Sequence, residues 1–338
     1  MSRFTRIAIT LCVVLSGISL SAQAKVFKIA TLSPDGSSWM VIMKEAAKNI
    51  AEQTDNRVKL KFYPGGVMGN DQTVFRKIRA GQLQGTATTG GAMSDYYKDV
   101  QLYGLPVIFK NQQEVDYVRK KMDPVIMQGL EDNGFVSFGL AEGGMAYVMS
   151  KYPTPAVEEL SSRKVWVPSN DRAMLETAQA FGIHPTPLSL GDVLTALQSG
   201  LVDTVATSPI GAIALQWHTQ VEYITDVPLV YLYALLAIDT KAFDKISKPD
   251  QQLVRSIMGK AFVEIDQLNK QDNINALKAL QNQGLKIISP SEAQLQQWYK
   301  LAAHSREQSI ANDQVSQQAV DQATAYLEEL QQSQSAKP

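Results

Sequence analysis

A handful of stretches in this chain carry residue types that could do chemistry, and the chemistry they offer is binding. Thr88-Thr89-Gly90-Gly91 sets two hydroxyls beside two glycines, which permits close backbone approach and hydrogen bonding to a small molecule, or forms a plain turn. Trp166 stands in a short β-branched and aromatic run that Pro168 stops; its indole either joins the core or offers a broad apolar face to a ligand. Ser169-Asn170-Asp171-Arg172 reads as a helix start. In the plain reading these are N-cap residues and a solvated arginine; in the other, free N–H groups could hold an anion. Ser208 either donates to a ligand or merely starts a helix at Pro209, and Trp39 lies in the core or beside a cleft loop.

Bond-making sets do not emerge. His184, His218 and His304 are far apart and lack a His-x-x-x-His spacing, so no metal is expected. Ser208 has no Gly-x-Ser-x-Gly around it, and Gly90-Gly91 belongs to no phosphate loop. Without a nucleophile–base set or a cofactor motif, the expectation is a binding protein with no cofactor, not an enzyme.

The elements that must position these residues alternate. Strands are expected at 26–30, 58–63, 85–89, 164–167 and 202–206, with helices at 37–53, 72–80, 173–181 and 192–198. The first helix puts Trp39, Ile42, Met43, Ala46, Ala47 and Ile50 on one side, and Asp71 is the expected cap of the second. Such alternation argues for α/β lobes with a largely parallel sheet, whose ligands bind at the carboxyl ends of the strands. The loops at those ends fall at 31–39, 63–71, 88–94, 141–146, 168–172 and 207–211. Residues 249–281 form an unusually long helical pattern, with Leu253, Ile257, Ala261, Ile265 and Leu268 in register, expected to lean on both lobes. Further helices are expected at 292–310 and 315–330.

Arg3 and Arg6, the apolar run 7–20 and Ala22-Gln23-Ala24 make a secretory signal peptide over 1–24, with export to the periplasm the consequence. Cys12, the one cysteine, lies inside it, so a chain from Lys25 has no thiol or disulfide chemistry. Loss of Arg3 and Arg6 takes 32 basic residues to 30 against 33 acidic, a net charge of −3. That excludes a basic surface for nucleic acid, and no later run is apolar enough to enter a bilayer. About 310 residues exceed one compact core. The expected division is 25–143 with 232–271 as lobe one, 144–231 with 272–330 as lobe two, and 331–338 as a flexible tail.

Order and spacing over nearly the whole chain carry a resemblance. Tyr63-Pro64-Gly65-Gly66-Val67-Met68-Gly69-Asn70-Asp71 is similar to a Pro-x-x-Gln-Leu-Gly-x-Asp/Glu turn, and Leu105-Pro106-Val107-Ile108-Phe109 to Leu-Pro-Phe-Leu-Phe. Arg163-Lys164-Val165-Trp166-Val167-Pro168, Leu197-Gln198-Ser199-Gly200-Leu201-Val202-Asp203 and Lys241-Ala242-Phe243-Asp244-Lys245-Ile246-Ser247 complete the set. The chain resembles the solute-binding subunit of tripartite ATP-independent periplasmic (TRAP) transporters, C4-dicarboxylate-binding type. The resemblance implies a two-lobed clamshell periplasmic-binding-protein fold, a monomer closing on a small molecule, and integral-membrane permease subunits as partners. A binding protein that reports to a receptor is the alternative.

The resemblance also implies site residues. Trp166 stands where the family has the arginine that clamps a carboxylate, Gln72 where another arginine is common, and Ala146 where a cation ends the stretch Ala141-Glu142-Gly143-Gly144-Met145-Ala146. A forked guanidinium makes two charge-assisted bonds to a carboxylate, which an indole cannot replace. The expected ligand is therefore apolar or aromatic, or a monocarboxylate met by the helix start, and not a simple C4-dicarboxylate. The candidate ligand-binding residues are Trp39, Gln72, Thr89, Gly90, Glu142, Ala146, Trp166, Ser169, Arg172, Leu190 and Ser208.

Overall fold

The computed structural model describes residues 24–169 and 171–335. The signal-peptide reading therefore lies outside the described residues except for Ala24, as does Asn170. Apolar side chains at alternate or helical spacing set the first elements. β1 (Lys25–Thr31) buries Phe27 and Ile29, and α1 (Ser38–Gln53) buries Met40, Met43, Ala46, Ala47 and Ile50 on one stripe. β2 (Val58–Tyr63) follows. α2 (Asp71–Arg79) is capped by Asn70, whose Oδ1 accepts from the Thr73 N–H (3.1 Å), so the expected cap Asp71 is instead the first helical residue. β3 (Gly85–Thr89) leads on to α3 (Gln112–Asp132), an element no sequence expectation covers, its pattern interrupted by Pro124.

β4 (Phe135–Val136) precedes β5 (Leu140–Ser150). β6 (Trp166–Pro168), α4 (Arg172–Ala180), β7 (Thr186–Leu188), α5 (Val193–Ser199), β8 (Thr204–Thr207) and α6 (Pro209–Ala214) come next, as the alternating pattern expects. β9 (Tyr223–Thr225) and β10 (Val230–Asp239) complete the second half, followed by the short α7 (Thr240–Phe243). α8 (Lys248–Asn282), β11 (Lys286–Ile288), α9 (Glu292–Ala311) and α10 (Gln317–Ser335) close the chain.

The main sheet runs β11-β9-β5-β10-β3-β1-β2, with β4 on β10 and β8 on β5. β1 pairs parallel with β2 and β3, and β9 with β11, but the two long strands in the middle are antiparallel to each other. The sheet is thus mixed where a largely parallel one was expected. The cause is topological: the chain leaves one lobe along β5 and returns along β10, so the two crossings must run in opposite directions. β5 pairs with β10 over residues 140–146 and with β8 and β9 over 147–150, while β10 turns to β3 beyond Tyr233. A register shift between Leu232 and Tyr233 marks the change of lobe. Trp166 does not sit on a central strand; β6 pairs only with β7 and joins β8 through a single Val165–Thr204 bridge.

α8 has 35 residues, about 50 Å of helix. Val254, Met258, Ala261, Phe262 and Ile265 pack in the core beside α1, and Leu280 packs in the core that holds Val205 and Trp217. The helix therefore spans both lobes. Two of the expected boundaries shift. Val315, Ala319 and Ala323 join the core of α3, so the last helix lies with lobe one and not with 272–311. Residues 331–335 continue α10 where a flexible tail was expected.

A buried ionic knot joins these pieces. Arg119 on α3 donates through two nitrogens to Asp123 Oδ2 (2.9 and 3.2 Å), to the Leu140 carbonyl on β5 (2.7 Å), to Tyr231 Oη on β10 (2.7 Å) and to Asp266 on α8 (2.7 Å). Tyr231 Oη in turn donates to Glu142 Oε2 (2.6 Å), and Asp266 accepts from the Glu142 N–H (2.9 Å). Burial opposes the charge on Arg119, but Asp123 and Asp266 outweigh it and hold the guanidinium protonated. Arg119→Met, of similar length, strands three carboxylates and is expected to cost about 3–5 kcal/mol in urea unfolding; a loss under 1 kcal/mol would show the knot to be dispensable.

Candidate ligand-binding cleft

A cavity of about 320 Å³ opens where the carboxyl ends of β1, β3, β6 and β8 converge, marked by Thr31, Thr89, Pro168 and Thr207. This is the position that strand polarity dictates, because the connecting loops gather there. The crossings form its floor through Ala141 to Gly143 on β5 and Tyr231 to Leu235 on β10, and α8 closes the back with Phe262, Ile265 and Asn269. The lining is predominantly apolar, with Trp39, Met43, Trp166, Leu190 and Trp217 among its walls.

Of the candidate residues, Trp39, Thr89, Gly90, Glu142, Trp166, Leu190 and Ser208 line this cavity. Trp166 belongs to the core and also lines the cavity. It is only 7 % exposed, its ring meets Trp217 edge-on with centroids 5.0 Å apart, and its Nε1–H donates to the Leu188 carbonyl (3.1 Å). The indole is an immobilised wall whose one donor is already used. Ser208 Oγ accepts from the Gly211 N–H (3.3 Å), capping α6 beside the cavity.

Four candidates stand outside the wall. Gln72 is exposed one residue past Asp71, which takes the lining place instead. Ala146 is buried opposite Val230, where β5 has already run beyond the cleft floor. Ser169 is exposed, and its N–H donates to Leu188 (3.1 Å), extending the β6–β7 pairing. The Arg172 side chain is 83 % exposed and its Nε donates to Glu176 Oε1 (2.6 Å), so it points along its own helix to the surface.

The helix start expected to hold an anion already holds one. Asp171 caps α4, its Oδ1 accepting from the Met174 N–H (2.9 Å) and, from the facing lobe, from Gln101 Nε2 (3.1 Å). Burial pushes its carboxyl above the usual range, and the neighbouring Asp95 adds to that. Glu142 is likewise pushed up by burial, against the hydrogen bond from Tyr231 and the charge of Arg119. Asp71 accepts from Thr88 Oγ1 (3.0 Å). Among the described residues the cavity lining holds these three acids and no lysine, arginine or histidine.

Sequence reasoning missed Asp171 and Asp71 as wall residues because both also make sense at a helix start. It missed Gln101 and Asn269 too. Asn269 had a signal: it occupies a buried turn of α8 after Met258, Phe262 and Ile265, a polar residue on an apolar stripe. Trp217 is buried core and cavity wall together.

Comparison with known proteins agrees with this geometry. A family model described as bacterial extracellular solute-binding protein, family 7, matches residues 29–313. An uncharacterized protein, YiiZ, of Salmonella typhimurium LT2 is 24 % identical over 225 residues, covering 65 % of this chain and 67 % of that one. The sialic acid-binding periplasmic protein SiaP of Vibrio cholerae is 22 % identical over 284 residues, covering 81 % and 87 %. Among solved structures, a TRAP periplasmic solute-binding protein of Ralstonia eutropha H16 with bound (S)-2-acetolactate superposes with a TM-score of 0.82 at 20 % identity, covering 90 % of this chain and 99 % of its own.

The two cleft glycines separate folding from closure. A Cβ on Gly90 would enter the ring of Tyr233, which is buried and fixed by its hydroxyl's bond to the Val100 carbonyl (2.8 Å). Gly90→Ala is therefore expected to cost about 1–3 kcal/mol in urea unfolding. A Cβ on Gly91 would instead overlap Asp171 Oδ2, which the other lobe brings across the cleft. Gly91→Ala is expected to leave unfolding nearly unchanged but to enlarge the radius of gyration in small-angle scattering. A compact Gly91→Ala protein would show that the contact does not limit closure.

Proposed function

We propose, since the chain belongs to family 7 of the bacterial extracellular solute-binding proteins, that it captures an apolar or aromatic solute, or a monocarboxylate, in the periplasm and delivers it to the membrane subunits of a TRAP transporter. One observation supports the solute class above others: the cleft between the lobes is walled by Trp39, Trp166 and Trp217, and among the described residues its lining holds no lysine, arginine or histidine. A C4-dicarboxylate entering this cleft would lose the water around two carboxylates and gain no guanidinium in return, a cost of several kcal/mol.

The protein works by binding and movement, with no chemical step. The lobes, 25–143 with 232–271 and 315–335 on one side and 144–231 with 272–311 on the other, turn about the two crossings near Gly143, Gly144 and Leu232. Gly144 takes φ +92°, and a Cβ on Gly143 would strike the Leu232 backbone, so both are glycine for local steric reasons. The solute has contacts with both lobes only when they are closed, and that difference in affinity shifts the population to the closed form. Receptor signalling would use the same motion; the permease is the partner that the family favours.

The test is calorimetry on exported protein, together with native mass spectrometry of whatever solute it carries on purification. Succinate, malate and fumarate are expected to give no binding heat. The carried solute is expected to be apolar or aromatic, or a monocarboxylate, to shrink the radius of gyration when added back, and to bind Trp166→Ala more than tenfold more weakly, since that change removes most of one wall. Tight succinate binding that survives Trp166→Ala would overturn the reading.

A further inference from the structure

We propose that residues 105–109 form a strained latch between the lobes, in which Val107 is a peg from lobe one seated in the core of lobe two and Arg306 pins it there. The inference concerns how the lobes are held, and stands apart from the class of solute argued above.

The two ends of the segment belong to lobe one. Leu105 and Phe109 are buried in the core that holds Tyr103, Val115 and Val118. Val107, between them, is buried in a different core, the one that holds Val148, Phe181 and Trp298. A segment whose ends are fixed in one lobe and whose middle is seated in the other cannot follow both when they part. Opening must therefore withdraw Val107.

The backbone shows what seating costs. Val107 takes φ +49°, the left-handed region, where a β-branched residue is an outlier because its Cβ crowds the main chain. Such a conformation persists only where the surroundings impose it. Here lobe two imposes it. The Val107 N–H donates to the Leu229 carbonyl (2.6 Å), and the Leu229 N–H donates to the Ala146 carbonyl (2.9 Å) on β5, beyond Gly143 and Gly144. From α9, Arg306 Nη1 donates to the carbonyls of both Pro106 and Val107, the latter at 3.4 Å. The turn thus brings two successive carbonyls onto one nitrogen. Burial pushes the Arg306 guanidinium below the ordinary arginine range, against the charge of Glu307, so those carbonyl bonds offset a cost already incurred. Apolar burial of Val107 and the bonds from Arg306 favour the seated form, and the left-handed turn opposes it. Opposed terms in one short segment make a two-state element: seated with the lobes together, withdrawn and relaxed to negative φ with the lobes apart.

Amide hydrogen exchange at residue 107, read with the radius of gyration, tests this on protein unfolded and refolded to strip any carried solute. In the unmodified protein the Val107 amide is expected to be protected, yet to exchange at least about tenfold faster than the buried amides of β1, because withdrawal needs less than global unfolding. Arg306→Met, of similar length, removes the pin. It should speed that exchange about tenfold further and enlarge the radius, with the β1 amides unchanged. Val107→Ala and Val107→Gly both lose the peg, but only glycine tolerates the left-handed turn. Protection at residue 107 should fall about tenfold further in the alanine variant than in the glycine variant, the scale of that steric cost at one residue. If Arg306→Met does not fold, this pair decides. Exchange at Val107 as slow as in β1, or faster exchange in Arg306→Met without a larger radius, overturns the latch. Equal protection in the two Val107 variants shows the turn to be left-handed in both forms, and overturns the two-state reading.

Discussion

The structure depends on one buried charge. Arg119, on α3, bonds directly to both interlobe crossings and to the long helix, each at 2.7 Å. The two crossings also share an apolar core, where Leu140 and Met145 pack with Tyr231, Tyr233 and Leu235. A hydrophobic replacement could fill the same volume, but it would not fix the direction in which β5, β10 and α8 meet. Directional bonds do. The knot holds Leu140 and Glu142 on one crossing and Tyr231 on the other, beside the register shift between Leu232 and Tyr233 and next to Gly143 and Gly144.

From that anchoring the cleft follows. The floor is made by the residues next to those the knot holds: Ala141 to Gly143 on one crossing, Tyr231 to Leu235 on the other, Ile265 and Asn269 on the helix. Glu142 belongs to both, bonded to Tyr231 and Gln112 on one side and lining the cavity on the other. Its charge is therefore neutralised within the fold. Asp171 at the opposite rim lacks that provision.

Much of this was legible in the sequence, and what was not has identifiable causes. Period-2 and period-3.6 patterns gave the strands and most helices because those elements bury one face each. The helix of residues 112–132 escaped because Pro124 breaks its pattern, and α10 was placed with the wrong lobe because amphipathicity says that a helix packs, not on what. The sheet's mixed character is a property of the crossings, invisible until both are seen to be strands. At the cleft, most loop positions at strand ends were readable from polarity, but residues 141–146, expected as a loop, lie within the continuous strand β5 because they form a crossing between the lobes. Side-chain direction was not: Gln72 and Asp71 are neighbours, yet only Asp71 lines the cavity, and Arg172 turns along its helix to Glu176. Positions taken from the resemblance carried the backbone neighbourhood correctly and the side chains less so, as Ala146 beyond the floor shows.

The walls of the cleft meet at one such contact. Asp171 caps α4 on one side and accepts from Gln101 Nε2 on the other, and a Cβ on Gly91 would overlap its Oδ2. Enclosure there disfavours the charged form of its carboxyl, and the hydrogen bonds of the cap and of the Gln101 amide oppose that cost. A residue that both starts a helix and bridges the cleft ties the position of α4 to the distance between the walls, so the group that ends the helix also sets how near Gly91 can stand.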